Sequence, residues 1–306
     1  MTDLRTSDLA LPPGYYRGGL GEWKTLPWPD DAAGKRRLME GSLGPQVIDW
    51  AEWRTPEPGL LNDEGERWQF TDGQARFLIL WYAFDERGRF IYRRGAKRGS
   101  KGTGKDPFGA AMCNIEFMGP SQLFFDRRVG RWSGKRHEMP LVQIASNSES
   151  QSKDMLRVAN SQWGREATSY YGLDKGLTST TVKDSAARME VLTASERSSE
   201  GDPATFIAMN ETHHMTKESG GHSTAAVARR NVGKSKKALQ ARLVDFTNAH
   251  VQGVDSVGER TYQSGQQQQS KQNGHLKQDI LYDSIEADPR LDPYVKEERE
   301  LAIRQA

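Results

Sequence analysis

Short apolar runs alternate with amphipathic stretches through the middle of this 306-residue chain. Runs rich in β-branched and aromatic residues predict strands at residues 89–94, 140–146, 189–195, 204–211 and 241–248. Apolar residues at helical spacing predict helices at residues 71–88, 107–118, 149–172 and 223–240. This alternation is typical of βαβ units, so we predict an α/β fold with a mainly parallel central sheet and helices on both faces.

The two ends of the chain lack this alternation. Residues 1–65 are rich in Pro, Gly and Trp and predict an irregular N-terminal arm. Residues 66–260 contain the alternating strands and helices and form the predicted core. Residues 261–306 are polar and then charged, and we expect a linker and a tail there, without a second core.

Composition narrows the class of protein. Hydrophobic residues make up 35% of the chain and the formal net charge is +2, so any affinity for nucleic acid must come from local basic patches. Cys113 is the only cysteine, which excludes an internal disulfide and favours a reducing compartment. No apolar run approaches the ~20 residues of a membrane span, and the first residues lack a segment of signal-peptide type. These features predict a cytoplasmic protein that does not enter a membrane.

Residues 99–105 read Gly-Ser-Lys-Gly-Thr-Gly-Lys, the GxxxxGK spacing of a phosphate-binding loop. A predicted strand precedes the loop and a predicted helix follows it. Backbone N–H groups and the helix N-terminus would then face the phosphates, and Lys105 would neutralise them during catalysis. Asp106 stands where a Ser or Thr usually binds Mg²⁺, and a basic surface loop is the alternative. The predicted nucleotide-binding residues here are Gly99, Ser100, Lys101, Gly102, Thr103, Gly104, Lys105 and Asp106.

The strand at residues 204–211 supplies the acidic partner that such a loop needs. Asn210 occupies the metal-side position, where Asp is usual, and Glu211 follows as the base that activates water. Because Asp106 adds a carboxylate to the loop and Asn210 removes one from the strand, we predict a Mg²⁺ site whose charge has moved from one side to the other. The alternative is that Asp106 only caps the helix and that Asn210 marks a weakened site.

Four blocks, at residues 93–112, 139–152, 196–215 and 241–260, have the order and spacing of the ATPase domain in the large terminase subunit of tailed phages. The chain resembles these DNA-packaging motors over about residues 71–259, and most of all those of actinobacteriophages. The resemblance implies a P-loop NTPase fold of the ASCE type, with ATP and Mg²⁺ as cofactors.

The resemblance also implies roles for individual residues. Glu211 falls on the catalytic glutamate, and Thr247 and Asn248 fall on the motif that couples the γ-phosphate to movement. Gln74 falls near the glutamine that reads adenine. Arg197 falls where a catalytic arginine reaches the nucleotide of a neighbouring subunit, and a surface charge is the alternative there.

The implied function is ATP-driven translocation of double-stranded viral DNA into a procapsid in the host cytoplasm. Expected partners are the DNA, the portal protein, the small terminase subunit and further copies of this chain in a ring, with a monomer in isolation. The nuclease domain usual in this family has no counterpart after residue 261, so we expect no DNA cleavage by this chain. The alternatives are a catalytically silent nucleotide- or DNA-binding assembly module and a P-loop small-molecule kinase.

Two basic segments are candidates for contact with the phosphate backbone of DNA, with solvated surface charge as the alternative. Their residues are Arg127, Arg128 and Arg131 in the first and Arg229, Arg230 and Lys234 in the second. His213 and His214 follow Glu211 at a spacing that differs from the HExxH zinc motif. We predict that this pair transmits the state of the nucleotide, and a zinc site with Glu218 and His222 is the alternative.

Overall fold

The structure is a computed structural model, and it describes residues 10–192 and 203–305. Within these ranges the strands are β1 (Tyr16–Arg17), β2 (Trp23–Lys24), β3 (Arg94–Arg98), β4 (Gln122–Asp126), β5 (Arg131–Lys135), β6 (Leu141–Ala145), β7 (Leu173–Lys175), β8 (Ser179–Val182), β9 (Arg188–Leu192), β10 (Phe206–Asn210), β11 (Arg242–Thr247) and β12 (Ile280–Glu286). The helices are α1 (Ala32–Glu40), α2 (Gly44–Ala51), α3 (Asp72–Trp81), α4 (Lys105–Met118), α5 (Glu149–Ser161), α6 (Arg165–Tyr171), α7 (Gly221–Lys234), α8 (Val257–Gln269) and α9 (Lys296–Gln305).

Ten of these strands form one sheet, in the order β1-β2-β12-β3-β11-β10-β6-β9-β8-β7. The strands from β12 to β9 run parallel, and the strands at both edges are antiparallel. β11 lies between β3 and β10, so it separates the strand before the loop from the strand that ends in the acid. The predicted α/β architecture with a mainly parallel central sheet is confirmed.

Alternate residues of β10 pack on opposite faces of the sheet. Phe206 and Ala208 belong to the larger apolar core, which includes side chains of α3, α4 and α5, while Ile207 and Met209 belong to a second core with α7. Successive strand side chains point to opposite faces, so both faces of the sheet carry helices. The unbroken apolar sequence of this strand follows from burial on both sides.

Aromatic contacts fix the start of α4 against the sheet. The Phe108 ring makes edge-to-face contacts with Phe77 of α3 and Phe246 of β11, with ring centroids 5.7 and 6.3 Å apart. All three side chains are fully buried. Such pairs restrict ring orientation as well as burying apolar area. The loop before α4 therefore has a rigid support.

Most predicted elements lie where the sequence pattern put them. β6, β10 and β11 match their predicted strands within two residues, and β9 begins at Arg188, with its predicted end outside the described residues. The predicted helix at residues 149–172 is two helices, because the chain leaves the helix at Gln162 and Gly164 caps the next one. Across the described ranges, the structure contains no helix long and apolar enough to cross a membrane.

The strand before the loop lies at Arg94–Arg98, whereas the pattern predicted residues 89–94. Phe90, in the middle of the predicted segment, packs into the core after a turn and takes no part in the ten-stranded sheet. The true strand is polar, and β12 supplies acids to two of its cations, since Lys97 forms a partly buried ion pair with Asp283 and Arg98 pairs with Glu286. A partner far away in the sequence thus allows a charged strand in the middle of the sheet.

The residues after 261 contribute to the core, whereas the sequence predicted a linker and a tail. β12 adds a parallel strand beside β3, and α8 packs next to it. The polar residues of β12, which made this segment unlike a buried strand in the sequence, have partners. Asp283 pairs with Lys97, and the Ser284 hydroxyl donates to Glu286 at 2.8 Å. The folded core therefore continues past the boundary expected at residue 260.

The predicted N-terminal arm also takes part in the fold. β2 extends the sheet by antiparallel pairing with β12. In α2, the Trp50 ring is buried against Trp163 and Tyr171, with centroids 6.1 and 6.4 Å away, and its indole N–H donates to the Tyr171 hydroxyl at 3.0 Å. The arm is irregular only in part, because its short elements depend on packing that no local pattern records.

A buried ion pair supports the end of the sheet opposite the loop. Arg242 begins β11 and lies 2.9 Å from Glu116 of α4, with both side chains at most 4% exposed. Its guanidinium also donates to the Trp81 carbonyl at 2.6 Å, and the Tyr82 hydroxyl donates to Glu116 at 2.8 Å. Each member of the pair thus makes a further hydrogen bond, which offsets part of the cost of burying two charges.

We expect Arg242→Ala to lower the free energy of unfolding by about 3–5 kcal/mol, because it leaves Glu116 charged, buried and unpaired. Adding Glu116→Gln should recover part of the loss. The matched control is Arg157→Ala, at an exposed ion pair with Asp154, which should change stability by less than about 0.5 kcal/mol. Urea unfolding followed by circular dichroism gives these values, and equal losses at Arg242 and Arg157 would contradict the assignment.

Candidate nucleotide site

Glycine geometry shapes the loop between β3 and α4. Gly102 has φ +85° and Gly104 has φ +74°, in the left-handed region where a side chain is strained. Gly104 is the N-cap of α4, so the helix begins directly after the loop. The Gly99 N–H donates to the Thr247 carbonyl at 3.1 Å and ties the loop to the end of β11. Backbone turns of this kind next to a helix N-terminus form anion-binding concavities.

Lys105, the first residue of α4, is 7% exposed. Its Nζ donates to the Ser100 carbonyl across the loop at 2.7 Å. Burial lowers the pKa of the Lys105 ammonium, while the carboxylates of Glu211 and Asp106 act in the opposite direction. An ammonium group has three donors, so it can bind a phosphate oxygen as well as the loop.

Glu211 directly follows β10 and has φ 55°, a left-handed conformation that is uncommon for a residue other than glycine. Its side chain is 22% exposed. Burial raises the pKa of the Glu211 carboxyl, the Asp106 carboxylate adds to this rise, and Lys105 opposes it. Strained backbone and raised basicity at the end of a strand are typical of a general base.

The residues predicted from separate parts of the sequence line one cavity of about 590 Å³. This volume lies within the ~300–1,000 Å³ of ligand sites. Glu211, His214 and Asn248 line it on the side facing the loop. The loop side consists of Lys101, Gly102, Gly104, Lys105, Asp106 and Pro107. The cavity therefore combines an ammonium group, a base and a polar amide around one space.

Asp106 and Asn210 line an adjoining hollow together with Glu211. Asn210 is 5% exposed, and its side-chain oxygen has no hydrogen-bond partner among the described residues. A buried amide oxygen without a donor and a nearby carboxylate are ligands that suit Mg²⁺, so these residues fit the ion. Asp106 lies in the first turn of α4, but the N-cap is Gly104, so capping alone does not account for Asp106.

His213 lies between Glu211 and the predicted coupling residues Thr247 and Asn248. Its Nε2 is 3.3 Å from Glu211 Oε2 and 3.3 Å from Asn248 Nδ2. Its Nδ1 accepts a hydrogen bond from the Asn248 backbone N–H at 3.3 Å and lies 3.4 Å from the Thr247 hydroxyl. Burial first, and then the nearby charges of His214 and Lys105, lower the pKa of His213 to about 4, so its imidazole is neutral at pH 7.

Three side chains that could bind zinc lie close together. Ligand atoms of Glu211, His213 and His214 lie within 4.8 Å of one another. His222 is engaged elsewhere, since its Nε2 lies 2.7 Å from the Asp255 carbonyl. The same Glu211 carboxylate also borders the cavity lined by the loop, so a zinc ion here would compete with nucleotide chemistry.

Gln74 lies beside the loop, as the predicted contact with adenine requires. Its backbone and side chain form a capping box with Thr71 at the start of α3. Its Nε2 is 3.8 Å from the position that a Cβ on Gly104 would take. Arg197, predicted to act on a neighbouring subunit, lies outside the described residues.

The basic candidates for DNA contact lie on two separate surfaces. One set is exposed at the turn of the β4–β5 hairpin and the other is exposed on α7. The first set is Arg127, Arg128 and Arg131, and the second is Arg229, Arg230 and Lys234. The hairpin packs through Trp132 onto Phe84, on the side of the larger core, whereas α7 covers the other face of the sheet. Contact of these two surfaces with DNA stays a prediction.

The polar residues that follow β6 also belong to the site, although the sequence did not predict them there. Gln151, in the first turn of α5, lines the hollow with Asp106 and Asn210. The side-chain oxygens of Gln151 and Asn147 are buried and have no hydrogen-bond partner among the described residues. The available signal was a polar run placed directly after a buried strand, since the ends of parallel strands meet at one edge of the sheet.

Two sequence relatives are phage proteins. The chain is 34% identical over 238 residues to the Gene 13 protein of Mycobacterium phage D29, and 31% identical over 285 residues to the Gene 13 protein of Mycobacterium phage L5. The matches cover 76% and 85% of this chain but 38% and 46% of the relatives, so the chain spans less than half of their length. No family model matches the sequence.

The crystal structure of the HK97 bacteriophage large terminase has a similar fold. The TM-score is 0.60 with 12% sequence identity, over 85% of this chain and 47% of that chain. This protein therefore has the fold of phage large terminases. The chain is also a relative of the mycobacteriophage Gene 13 proteins, which confirms the predicted resemblance to proteins of actinobacteriophages.

Proposed function

We propose that this chain hydrolyses ATP and is the motor part of a DNA-packaging terminase. The observation that carries the proposal is the shared cavity, because one space joins the glycine-rich loop, Lys105 and the carboxylate of Glu211. The large-terminase fold and the phage relatives support the packaging role. Double-stranded DNA, a portal protein, a small terminase subunit and further copies of the chain, in the host cytoplasm, are the corresponding partners and setting.

The chemistry follows from the positions of the side chains. Loop N–H groups and Lys105 bind the phosphates. Glu211 accepts a proton from water as the water oxygen bonds to the γ-phosphorus, while the bond from that phosphorus to the bridging oxygen breaks, releasing ADP and phosphate. Asp106 and Asn210 would hold Mg²⁺, which when bound neutralises charge on the phosphates.

The direct test is phosphate release from ATP by the purified chain, with and without Mg²⁺ and double-stranded DNA. We expect release that requires Mg²⁺ and rises when DNA is added. Binding of a fluorescent ATP analogue without any phosphate release would support the silent assembly module instead. Phosphate transfer to a small acceptor, in place of release, would support a kinase.

The transposed charge of the metal site gives a second test. We expect Asp106→Ser to weaken Mg²⁺-dependent nucleotide binding by about 10–100-fold, because it removes the carboxylate from the site. Adding Asn210→Asp should restore part of the affinity, since it returns the charge from the facing strand. Titration of the wild type, the two single variants and the double variant with a fluorescent ATP analogue and Mg²⁺ measures the affinities. Losses that simply add in the double variant would contradict the transposition.

A further inference from the structure

The side chain of His213 joins two groups to which the proposed function gives different tasks. Glu211 at the end of β10 is the proposed base, and Asn248 directly after β11 belongs to the coupling motif. The His213 imidazole touches both, and it is mostly buried, with a side chain 9% exposed. The contact exists because β10 and β11 are neighbours in the sheet.

Hydrogen bonding at Nδ1 decides which nitrogen of His213 carries the proton. The Asn248 backbone N–H is a donor only, and it points to Nδ1 at 3.3 Å. Nδ1 must therefore be an acceptor without a proton, and the neutral ring carries its proton on Nε2. The His213 Nε2–H then donates, and Glu211 Oε2 at 3.3 Å is in position to accept.

The carboxamide of Asn248 supplies a second acceptor for the same proton. Its Nδ2 is 3.3 Å from His213 Nε2, so an N–H donor faces another N–H donor. Its Oδ1 is buried and has no hydrogen-bond partner in the described part of the chain. The two ends of an amide have nearly the same shape, so turning the group over removes both defects. Oδ1 then faces Nε2–H, and the Asn248 NH₂ group is released from it.

We infer that His213 is a positioning residue whose single Nε2 proton is shared between Glu211 and Asn248. Donation to Glu211 orients the carboxylate, and donation to Asn248 withdraws that restraint. Asn248 lines the nucleotide cavity, so the orientation of its amide is open to influence from a bound phosphate. This inference rests on the proposed ATP hydrolysis and adds a route by which the nucleotide controls its own base.

The close packing of α8 gives the same cluster a rigid wall. A Cβ on Gly258 would lie 3.0 Å from the Thr247 hydroxyl and 3.2 Å from the backbone nitrogen of His213. The first turn of α8 thus packs closely against both Thr247 and the backbone of His213. The backbone that carries the His213 ring therefore lies directly against α8, and the ring itself is 9% exposed.

Long-range ¹H–¹⁵N spectra of the imidazoles test the proton position without any enzyme activity. His213 is assigned by its absence in His213→Gln, and the exposed His275 is the reference. We expect protonated Nε2 and unprotonated Nδ1 at pH 7, with a change at Nε2 when a non-hydrolysable ATP analogue and Mg²⁺ bind. A proton on Nδ1, or an Nε2 signal that the nucleotide leaves unchanged, would overturn the inference while the proposed function stands.

Kinetics test the positioning role. We expect His213→Ala to lower kcat about tenfold or more, with affinity for the ATP analogue and the thermal midpoint retained. In Asn248→Ala the Nε2 proton keeps Glu211 as its acceptor, so the change at Nε2 on nucleotide binding should be lost. The double variant should lose no more kcat than His213→Ala, because Asn248 acts on Glu211 through the His213 proton. His213→Gln, which retains a donor near the Nε2 position, should keep more activity than His213→Ala, and His275→Ala should match the wild type. A double variant that loses clearly more kcat than His213→Ala would overturn the inference, and a wild type without ATP hydrolysis would overturn the proposed function along with it.

Discussion

Replacing Glu211 by Gln is expected to reduce ATP turnover by about 10²–10⁴-fold, the usual contribution of a positioned general base. Gln keeps the shape of the side chain, but its neutral amide is too weak a base to accept the proton. The lost charge also relieves repulsion from Asp106, so nucleotide affinity should be retained or should rise. Phosphate release under single-turnover conditions, together with binding of a fluorescent ATP analogue, separates the two effects.

Glu218→Gln is the matched control, because this exposed glutamate lies on the same segment and outside the cavity. It should hydrolyse ATP at the wild-type rate. If Glu211→Gln retained more than about one tenth of the wild-type rate, another group would be the base, and the assignment of Glu211 would be wrong.

Replacing Lys105 by Ala is expected to weaken binding of Mg²⁺·ATP by about 10–100-fold and to remove measurable turnover at ordinary ATP concentrations. The Lys105 ammonium is the buried cation of the loop, and it lies where the loop and α4 meet. Exposed Lys153 of α5, paired with Glu149, is the control position and should tolerate Ala without effect. Titration calorimetry with the ATP analogue measures the loss, and unchanged affinity in Lys105→Ala would contradict a phosphate-binding loop.

The sequence predicted the loop and its acid because both are local patterns at the ends of strands. The glycines at 102 and 104 have the left-handed backbone that the loop motif requires. The strands β6, β10 and β11 are largely apolar because helices cover the sheet on both faces. A short stretch of sequence is enough to predict each of these features, because each depends on residues that are neighbours in the chain.

The rest depends on contacts between distant residues. β3 and β12 are polar, and their pairing through Lys97 and Asp283 joins residues 186 positions apart, so neither strand shows the pattern of a buried strand. The contact between His213 and Asn248 likewise exists only because β10 and β11 are adjacent. Sequence reasoning recognised the histidine pair and the coupling motif separately, and only the fold joins them.

The proposed ATP hydrolysis is tested most directly by a crystal structure of this chain with Mg²⁺ and a non-hydrolysable ATP analogue. We expect the triphosphate inside the loop of residues 99–105, with Lys105 on its oxygens. We also expect one water between the γ-phosphorus and the Glu211 carboxylate, within about 2.6–3.2 Å of the carboxylate. A triphosphate bound elsewhere, or a Glu211 carboxylate too far from the γ-phosphate for one water to bridge them, would show that Glu211 and this loop do not form the hydrolytic site.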